Sequence, residues 1–459
     1  MSKIEVNTVD VQCGSTLTLG SSGKTVQIAC GATTVGMGRT GTVDWCTTAK
    51  TSPLTGVSGK GYFVNTCGGA VTVTLPSSPS AGDIIAIKDY KNTFASNNVT
   101  IGRGGSKLAG GCLCATLNTD GDSITLVYVD GTQGWLNVQT DDTVVGQSFV
   151  TATGGTITTC GNFKIHTFTG SGCFAVSNAG NAFGSNTVDY LVVAAGGGGA
   201  VGEWGGGGGG AGGYRESSGA ASGCYSASPL GSGVSALTVT AQTYPITIGA
   251  GGAGGTANPY ATNGDGDSGS NAIFSTITSA GGGGAGGGNQ PHPSPVGTGK
   301  AGGSGGGGSG PGGGSVSGVN FGAGNTPPVS PPLGNNGGKS VPEGGGSGGG
   351  AGAVGVDGSS SSSSAVGGTG GAGVTSSINA SPVTRAGGGG GTGAYPGGSA
   401  GSGGSGGGAA GQNAPSGSAN AGTANTGGGG GGTNVSPTTA PGVGGAGGSG
   451  VVIIRYKFQ

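Results

Sequence analysis

Val188-Asp189-Tyr190-Leu191-Val192-Val193-Ala194-Ala195-Gly196-Gly197-Gly198-Gly199-Ala200 is the stretch on which the fold turns, because here an apolar run passes without a break into glycine. Its first eight residues have the length and the β-branched content of a buried strand. The inverse transition occurs at Gly448-Ser449-Gly450-Val451-Val452-Ile453-Ile454-Arg455-Tyr456, where glycine passes back into a second strand. If the two strands pair, residues 196–450 form one excursion whose ends are held side by side.

Glycine loses more backbone entropy on ordering than any other residue and has no side chain to bury. A hydrophobic core therefore cannot hold residues 196–450 together, and only the backbone is left to do so. A left-handed extended helix with three residues per turn points its peptide groups outward and makes no internal hydrogen bond. Glycine on every face lets several such helices approach and bond one another laterally, which pairs the buried N–H and C=O groups. Three features favour this polyglycine II bundle over a flexible linker. Charge is sparse, whereas disordered chains are usually charged and polar. The glycine comes in blocks, among them 205–210, 281–284, 305–308, 387–391 and 427–432, separated by inserts rich in Pro, Asn and Ser. Apolar strands recur and each runs into glycine: Tyr244-Pro245-Ile246-Thr247-Ile248 and Ala272 to Thr278. With the two flanking strands these predict a small sheet on which the bundle is seated. No strict Gly-X-Y period runs through the stretch, so collagen is excluded.

The ordered series Asp189 to Ala194, Gly210-Ala211-Gly212-Gly213-Tyr214, Ile246-Thr247-Ile248-Gly249-Ala250-Gly251-Gly252, Ile277 to Gly284 and Gly448 to Tyr456 resembles the glycine-rich terminal region of bacteriophage tail fibres and their adhesins. The resemblance covers residues 146–459. It implies a bundle of polyglycine II helices whose variable connecting loops contact a bacterial host. The inserts 289–295 and 325–336 match no motif, so the target carries over only as a host surface.

Around this stretch the chain divides by composition. Residues 1–44 contain Leu17-Thr18-Leu19, Val26-Gln27-Ile28 and Val35-Gly36-Met37 nine residues apart. One chain cannot bury so small an apolar set, whereas three chains around an axis can, and the alternative is a meander packed on the next domain. Residues 45–140 predict a β domain, with a hairpin formed by Ser123 to Val129 and Gly134 to Val138 around Asp130-Gly131-Thr132-Gln133. The segment from Val127 to Trp135 resembles part of a domain in structural fibre proteins of marine phages. Residues 146–195 predict a second small β unit, in which Asn162 to Phe168 pairs with Cys173 to Val176 and His166 lies with Lys164 away from Phe163 and Ile165. Residues 196–450 are the bundle and 451–459 the closing strand.

The 459-residue chain has a formal net charge of -1, which leaves no electrostatic footprint for nucleic acid. Met1-Ser2-Lys3-Ile4-Glu5-Val6 lacks the regions of a signal peptide, and no apolar run has the ~20 residues of a membrane span. Synthesis in a host cytoplasm and residence in a virion tail fibre are expected. The nine cysteines are expected to be small buried thiols, and Cys112-Leu113-Cys114 has no second pair to make a metal site. Asn263-Gly264-Asp265-Gly266-Asp267 suggests a calcium loop, but Phe274 stands at the twelfth position where Glu is needed, so Asp265 and Asp267 are read as turn residues. No carboxylate pair or activated nucleophile emerges, and neither a catalytic residue nor a metal or cofactor is expected.

The sequence thus predicts an all-β, elongated, homotrimeric fibre of short β modules followed by a polyglycine II helix bundle capped by a small sheet. The expected function is adhesion without bond breaking, with other virion tail proteins and a bacterial receptor, a saccharide or an outer-membrane protein, as partners. Receptor contacts are expected where side chains break the glycine pattern, at Tyr260, His292, Phe321, Leu333 and Tyr395. The alternative is a structural filament or virion decoration protein, with the glycine region as spacer or assembly surface.

Overall fold

The computed structural model describes residues 43–112, 114–139, 145–146, 148–181, 184–223, 225–257, 264–288, 297–310, 320–359, 364–394, 396–413, 417–435 and 442–459. The nine-residue repeat expected within residues 1–44 lies outside them. The protein is all-β, and among the described residues helical structure amounts to short 3-10 turns such as Pro229–Gly231. Two compact units divide the chain, Met1–Val144 and Val145–Gln459.

In the first unit the chain winds alternately through two sheets. Asp44–Lys50, Lys60–Val64 and Ile84–Asp89 lie parallel in one, and Leu54–Thr55, Val71–Thr74 and Val99–Gly102 lie parallel in the other. Val64, Val73, Ile85, Ile87, Ile101, Leu117, Leu126 and Trp135 fill the space between. The expected hairpin is present: Ser123–Asp130 pairs antiparallel with Gly134–Asn137. Its turn is held by Asp130, whose Oδ1 accepts the N–H groups of Thr132 at 2.7 Å and Gln133 at 2.6 Å. Those bonds favour the carboxylate and hold the Asp130 pKa below its ordinary value.

In the second unit the two strands that flank the glycine pair antiparallel, Asp189 opposite Arg455 and Val193 opposite Val451. Around them the sheet runs in the order Thr156–Cys160, Phe163–Phe168, Val451–Lys457, Thr187–Val193, Tyr214–Glu216, with Leu237–Thr238 also on Thr187–Val193. A second, antiparallel sheet runs Val150–Thr153, Gly172–Ala179, Thr243–Thr247, Ala272–Phe274, Ile277–Ser279. Phe168, Phe174, Tyr190, Val192, Tyr244, Phe274, Ile454 and Tyr456 pack between the sheets.

This sandwich corrects two expectations. Phe163–Phe168 does not pair with the segment from Cys173 to Val176; it pairs with Thr156–Cys160 and Val451–Lys457, and the chain crosses to the other sheet at Thr169-Gly170-Ser171. The crossing lets Phe168 and Phe174 face the same core from opposite layers. Ala272 to Thr278 is not one strand but a hairpin turned at Ser275, whose φ is 54°.

His166 sits in this core rather than in solvent. It is fully buried, its Nδ1 is 2.7 Å from the Gly154 carbonyl oxygen, and its Nε2 is 3.0 Å from the Tyr456 hydroxyl. Nδ1 thus carries the proton and Tyr456 donates to Nε2, an arrangement that needs a neutral ring. Burial pulls the His166 pKa below its ordinary value, the Gly154 bond opposing it. An unfolded His, with a pKa of about 6.5, takes up a proton before the folded one does, so the unfolded state binds more protons in that interval. The stability contributed by neutral His166 is therefore full above pH ~6.5 and is lost as pH falls through the folded value. Melting temperatures taken between neutral and mildly acid pH should show this slope, and His166→Gln should flatten it.

The cysteines also depart from expectation. Cys67, Cys112, Cys114 and Cys173 are exposed free thiols, and Cys46 and Cys160 are half-buried. Cys173 shows why: it alternates on its strand with Phe174, which takes the core side.

The glycine runs form an ordered solid. Run 195–201 continues the Thr187–Val193 strand, and its N–H groups turn to three neighbours in rotation. Ala195, Gly198 and Val201 donate to Ser270, Asp267 and Gly264; Gly196 and Gly199 to Gly448 and Gly445; Gly197 and Ala200 to Gly210 and Gly207, all at 2.8–3.2 Å. Its carbonyls accept from three other runs: from Gly252 and Gly255, from Gly282 and Ala285, and from Gly430 and Thr433. A three-residue rotation with lateral bonds to six runs is the hydrogen-bonding signature of polyglycine II. Run 206–213 repeats it, with donors at Gly208 to Gly213 reaching Gly346, Gly430, Gly283, Gly349, Gly427 and Ala280 in turn. The peptides of these two runs are thereby paired largely with neighbouring backbone and without a side-chain core, as the free-energy cost of unpaired groups demands.

Side-chain placement follows from this lattice. A Cβ on Gly208 would lie 2.1 Å from Gly389 O, and one on Gly389 would lie 2.0 Å from Gly430 O. On runs at the bundle surface one face in three points outward, and there other residues stand at spacing three: Ala250 and Ala253, Val366 and Thr369, Ser399, Ser402 and Ser405, Val443 and Ala446, all exposed. Asp265 and Asp267 are corrected from turn residues to members of run 264–270. The Asp265 carboxylate accepts Gly287 N at 2.6 Å, and Asp267 lies 3.6 Å from Lys300 Nζ.

Candidate functional site

The runs alternate in direction, so their connections fall at two ends. One end is the sandwich. The other is marked by short bridges between run ends: Val201–Gly202 beside Thr433–Asn434, Thr256–Ala257 beside Gly442–Val443, and the pairs Gly202 with Gly288, Gly344 with Gly393, Val366 with Ser399 and Gln412 with Thr433. The described residues that flank inserts 258–263, 289–296, 311–319 and 436–441 end here.

Where the runs begin to diverge, peptide groups lose lateral partners, and side chains replace them. Thr392 Oγ1 accepts Gly206 N at 2.8 Å, Asn434 Nδ2 donates to Gly393 O at 3.0 Å, and Thr433 Oγ1 donates to Gln412 O at 3.1 Å. Ser340 Oγ donates to Ser309 O at 2.8 Å, and the Ser340 N–H donates to Asn320 Oδ1 at 3.2 Å. All of these side chains are buried. They form a neutral polar layer at this end of the runs.

Of the five residues expected to contact a receptor, Tyr260, His292 and Tyr395 lie outside the described residues. Described residues next to each of them, Ala257 and Gly264, Gly288 and Gly297, Ala394 and Pro396, stand at this loop-bearing end. Phe321 is half-buried, next to Asn320 of the polar layer. Leu333 is a correction. It is buried at 1 % exposure at the sandwich end, where its carbonyl accepts Tyr214 N at 3.0 Å, so it plugs the bundle instead of presenting a surface. Its loop is closed by Asn325, whose Oδ1 accepts the N–H groups of Val329 and Leu333.

Sequence reasoning missed Trp204. It is half-buried in the turn between runs 195–201 and 206–213, and Nε1 is buried without an acceptor. The signal was available, since no other tryptophan interrupts residues 196–450.

A second polar cluster closes the sandwich end. Glu216 is buried, and its carboxylate accepts from Tyr214 Oη at 2.9 Å, from Ser228 N at 2.9 Å and from the Ser376 hydroxyl. Asp189 is buried and accepts from Ser217 Oγ at 2.7 Å and from Ser222 N at 2.7 Å. Arg455, also buried, donates to Ile378 O at 3.3 Å and lies over the rings of Phe163 and Tyr225. Burial pushes the Tyr214 and Tyr225 hydroxyls well above their ordinary range and pulls Arg385 down. These carboxylates are saturated with donors, so the cluster acts as a clasp. It fastens Tyr214–Glu216 and the hairpin Val374–Ser376/Val383–Arg385 to the sheet. Among the described residues, no three His, Cys, Asp or Glu side chains group closely enough to hold a metal.

The extent of this construction coincides with a known family. A family described as glycine-rich domain matches residues 169–457. The chain belongs to the glycine-rich domain family. The match starts at Thr169, in the crossing between the two sheets, and stops at Lys457, the last residue of the closing strand. The glycine-rich domain thus comprises the bundle together with the strands that clamp its ends. No curated protein matches the chain.

Proposed function

We propose that the protein is a subunit of a bacteriophage tail fibre that adheres to a bacterial surface through the loop-bearing end of its glycine-rich domain, with no bond broken. The observation that carries this reading is the separation of roles within the domain. A rigid backbone-bonded solid brings the described residues that flank inserts 258–263, 289–296, 311–319 and 436–441 to the end remote from the sandwich, while insert 325–336 folds back at the sandwich. Binding residues on loops positioned by a rigid scaffold are a recurrent solution, because loops vary without disturbing the scaffold. The partners in this reading are two further copies of the chain, other virion tail proteins, and a saccharide or outer-membrane protein of the host. Three copies of a weak site would raise avidity by effective concentration.

The test is to replace residues 289–296 by a Gly/Ser segment of equal length and to measure adsorption of the purified protein to a panel of bacteria. Loss of adsorption to the strain that binds wild type, with amide protection in runs 195–201 and 206–213 retained, is the expected result. Unchanged adsorption after all the long inserts have been replaced would move the function away from this end and leave a structural filament.

A further inference from the structure

The first unit carries an aromatic platform that its own core does not use. Trp45, on the edge strand Asp44–Lys50, is paired with Gly61, and a Cβ on Gly61 would lie 2.7 Å from the indole Cδ2 and Cε3. The indole therefore lies flat on the glycine backbone with its other face outward, and it is 37 % exposed. Phe63, on the same face of the next strand, packs on it with ring centroids 5.0 Å apart and planes tilted by 35°. Tyr90, 50 % exposed, meets Phe63 edge-on at 6.5 Å. The three rings form a continuous shelf.

Its rim is cationic beside Phe63 and Tyr90. Lys91 Nζ stands 5.6 Å from the centre of the Tyr90 ring. Lys88 is the cross-strand neighbour of Phe63 on the same face, its ammonium donating to Gly121 O. Two buried carboxylates also lie on this side, Asp89, which accepts the N–H groups of Lys91, Thr93, Phe94 and Gly121, and Asp122, whose charge interacts with that of Lys88, so Lys91 carries the cationic character of the rim. At the far edge Asp44 and Lys60 neutralise each other.

We infer that this shelf binds two rings of an acidic saccharide, the apolar face of one pyranose on Trp45 and the carboxylate of the next towards Lys91 beside Tyr90. A flat open indole offers the surface that C–H groups of a sugar ring require, and a carboxylate on an adjoining ring would meet Lys91 beside Tyr90. A protein partner fits less well. Three rings fall far short of the ~800 Å² per partner of a stable interface, and burying them would desolvate the adjoining lysines. The inference stands independently of the loop-bearing end.

Affinity electrophoresis of the full chain tests it, in native gels cast with alginate, polygalacturonate or hyaluronate, with dextran as the neutral control. Retardation is expected in at least one polyuronate and not in dextran. Trp45→Ala and Tyr90→Ala should each weaken it by about tenfold, with far-UV circular dichroism unchanged. Lys91→Glu should weaken it as well. No retardation in any polyuronate overturns the inference. Retardation that Lys91→Glu abolishes while both aromatic variants keep it also overturns it, because that is ion exchange alone. Sedimentation showing that Tyr90→Ala dissociates an oligomer would overturn it too, by assigning the shelf to a second copy.

Discussion

Gly209→Ala is expected to destabilise the glycine-rich domain by about 3 kcal/mol, although it adds one methyl group to a residue with no unusual backbone conformation. A Cβ at this position would lie 2.1 Å from Gly197 O and close to the Gly197–Gly198 backbone. Those atoms belong to backbone, so no rotamer change can relieve the clash. Relief requires runs 195–201 and 206–213 to move apart, which lengthens the bonds from Gly197 N to Gly210 O and from Ala200 N to Gly207 O. Each of these two runs is bonded to six others, so the displacement spreads. Gly170→Ala is the control. Nothing lies within 4 Å of its Cβ position, and its cost should stay within about 0.5 kcal/mol. Equilibrium denaturation of the two variants checks the contrast. Equal midpoints would mean that the runs are not closely packed in solution.

The second large effect is expected at the clasp. Glu216→Ala removes the shared acceptor of the Tyr214 hydroxyl, the Ser228 N–H and the Ser376 hydroxyl, and it leaves the buried Arg385 without the neighbouring carboxylate that favours its charge. Breaking one side of a buried charged network costs about 3–5 kcal/mol, mostly through the partner left uncompensated. The loss should be local first, because the hairpin Val374–Ser376/Val383–Arg385 is joined to the sheet partly through Ser376 and through Ile378 O. Limited proteolysis should cut near residues 377–382 in Glu216→Ala at temperatures where wild type resists, and the denaturation midpoint should fall. Glu216→Gln, which keeps an acceptor oxygen, should lose less. Equal losses for the two variants would show that the charge, and not the acceptor geometry, is what matters.

Much of this architecture can be read in particular residues. Val188 to Ala195 and Val451 to Tyr456 are apolar enough, and each adjoins glycine so abruptly, that their pairing follows from the need to close the excursion. Asp130-Gly131-Thr132-Gln133 specifies its hairpin by local chemistry. Asp189 and Arg455 were signals of the clasp, since a charge within a buried strand requires compensation; they stand opposite in register, but Asp189 is met by Ser217 and Ser222, and Arg455 by Ile378 O and the rings of Phe163 and Tyr225. The spacing of Ser399, Ser402 and Ser405 likewise recorded the three-residue turn and the one face open to water.

Other features had no local code. Phe168 and Phe174 alternate as two strands of one hairpin would, and only the competition of Val451–Lys457 for the edge of Phe163–Phe168 sends them to different sheets. Leu333 breaks the glycine pattern in the same way as an exposed insert residue. Its burial depends on Asn325 folding the loop back and on Tyr214 N reaching its carbonyl.

From its composition alone this protein had to satisfy its glycine backbone by lateral hydrogen bonds and to anchor the ends of that backbone in strands, because glycine brings no side chain to bury and every buried peptide needs a partner. Which run lies beside which was decided only by the tertiary structure. Glycine runs are chemically alike, so no residue within Gly196 to Gly199 distinguishes Gly210 from Gly430 as a neighbour. The register comes from outside the runs, from the pairing of Thr187–Val193 with Val451–Lys457, from the Glu216 clasp, and from side chains such as Thr392 and Asn434 that fit at one place in the lattice.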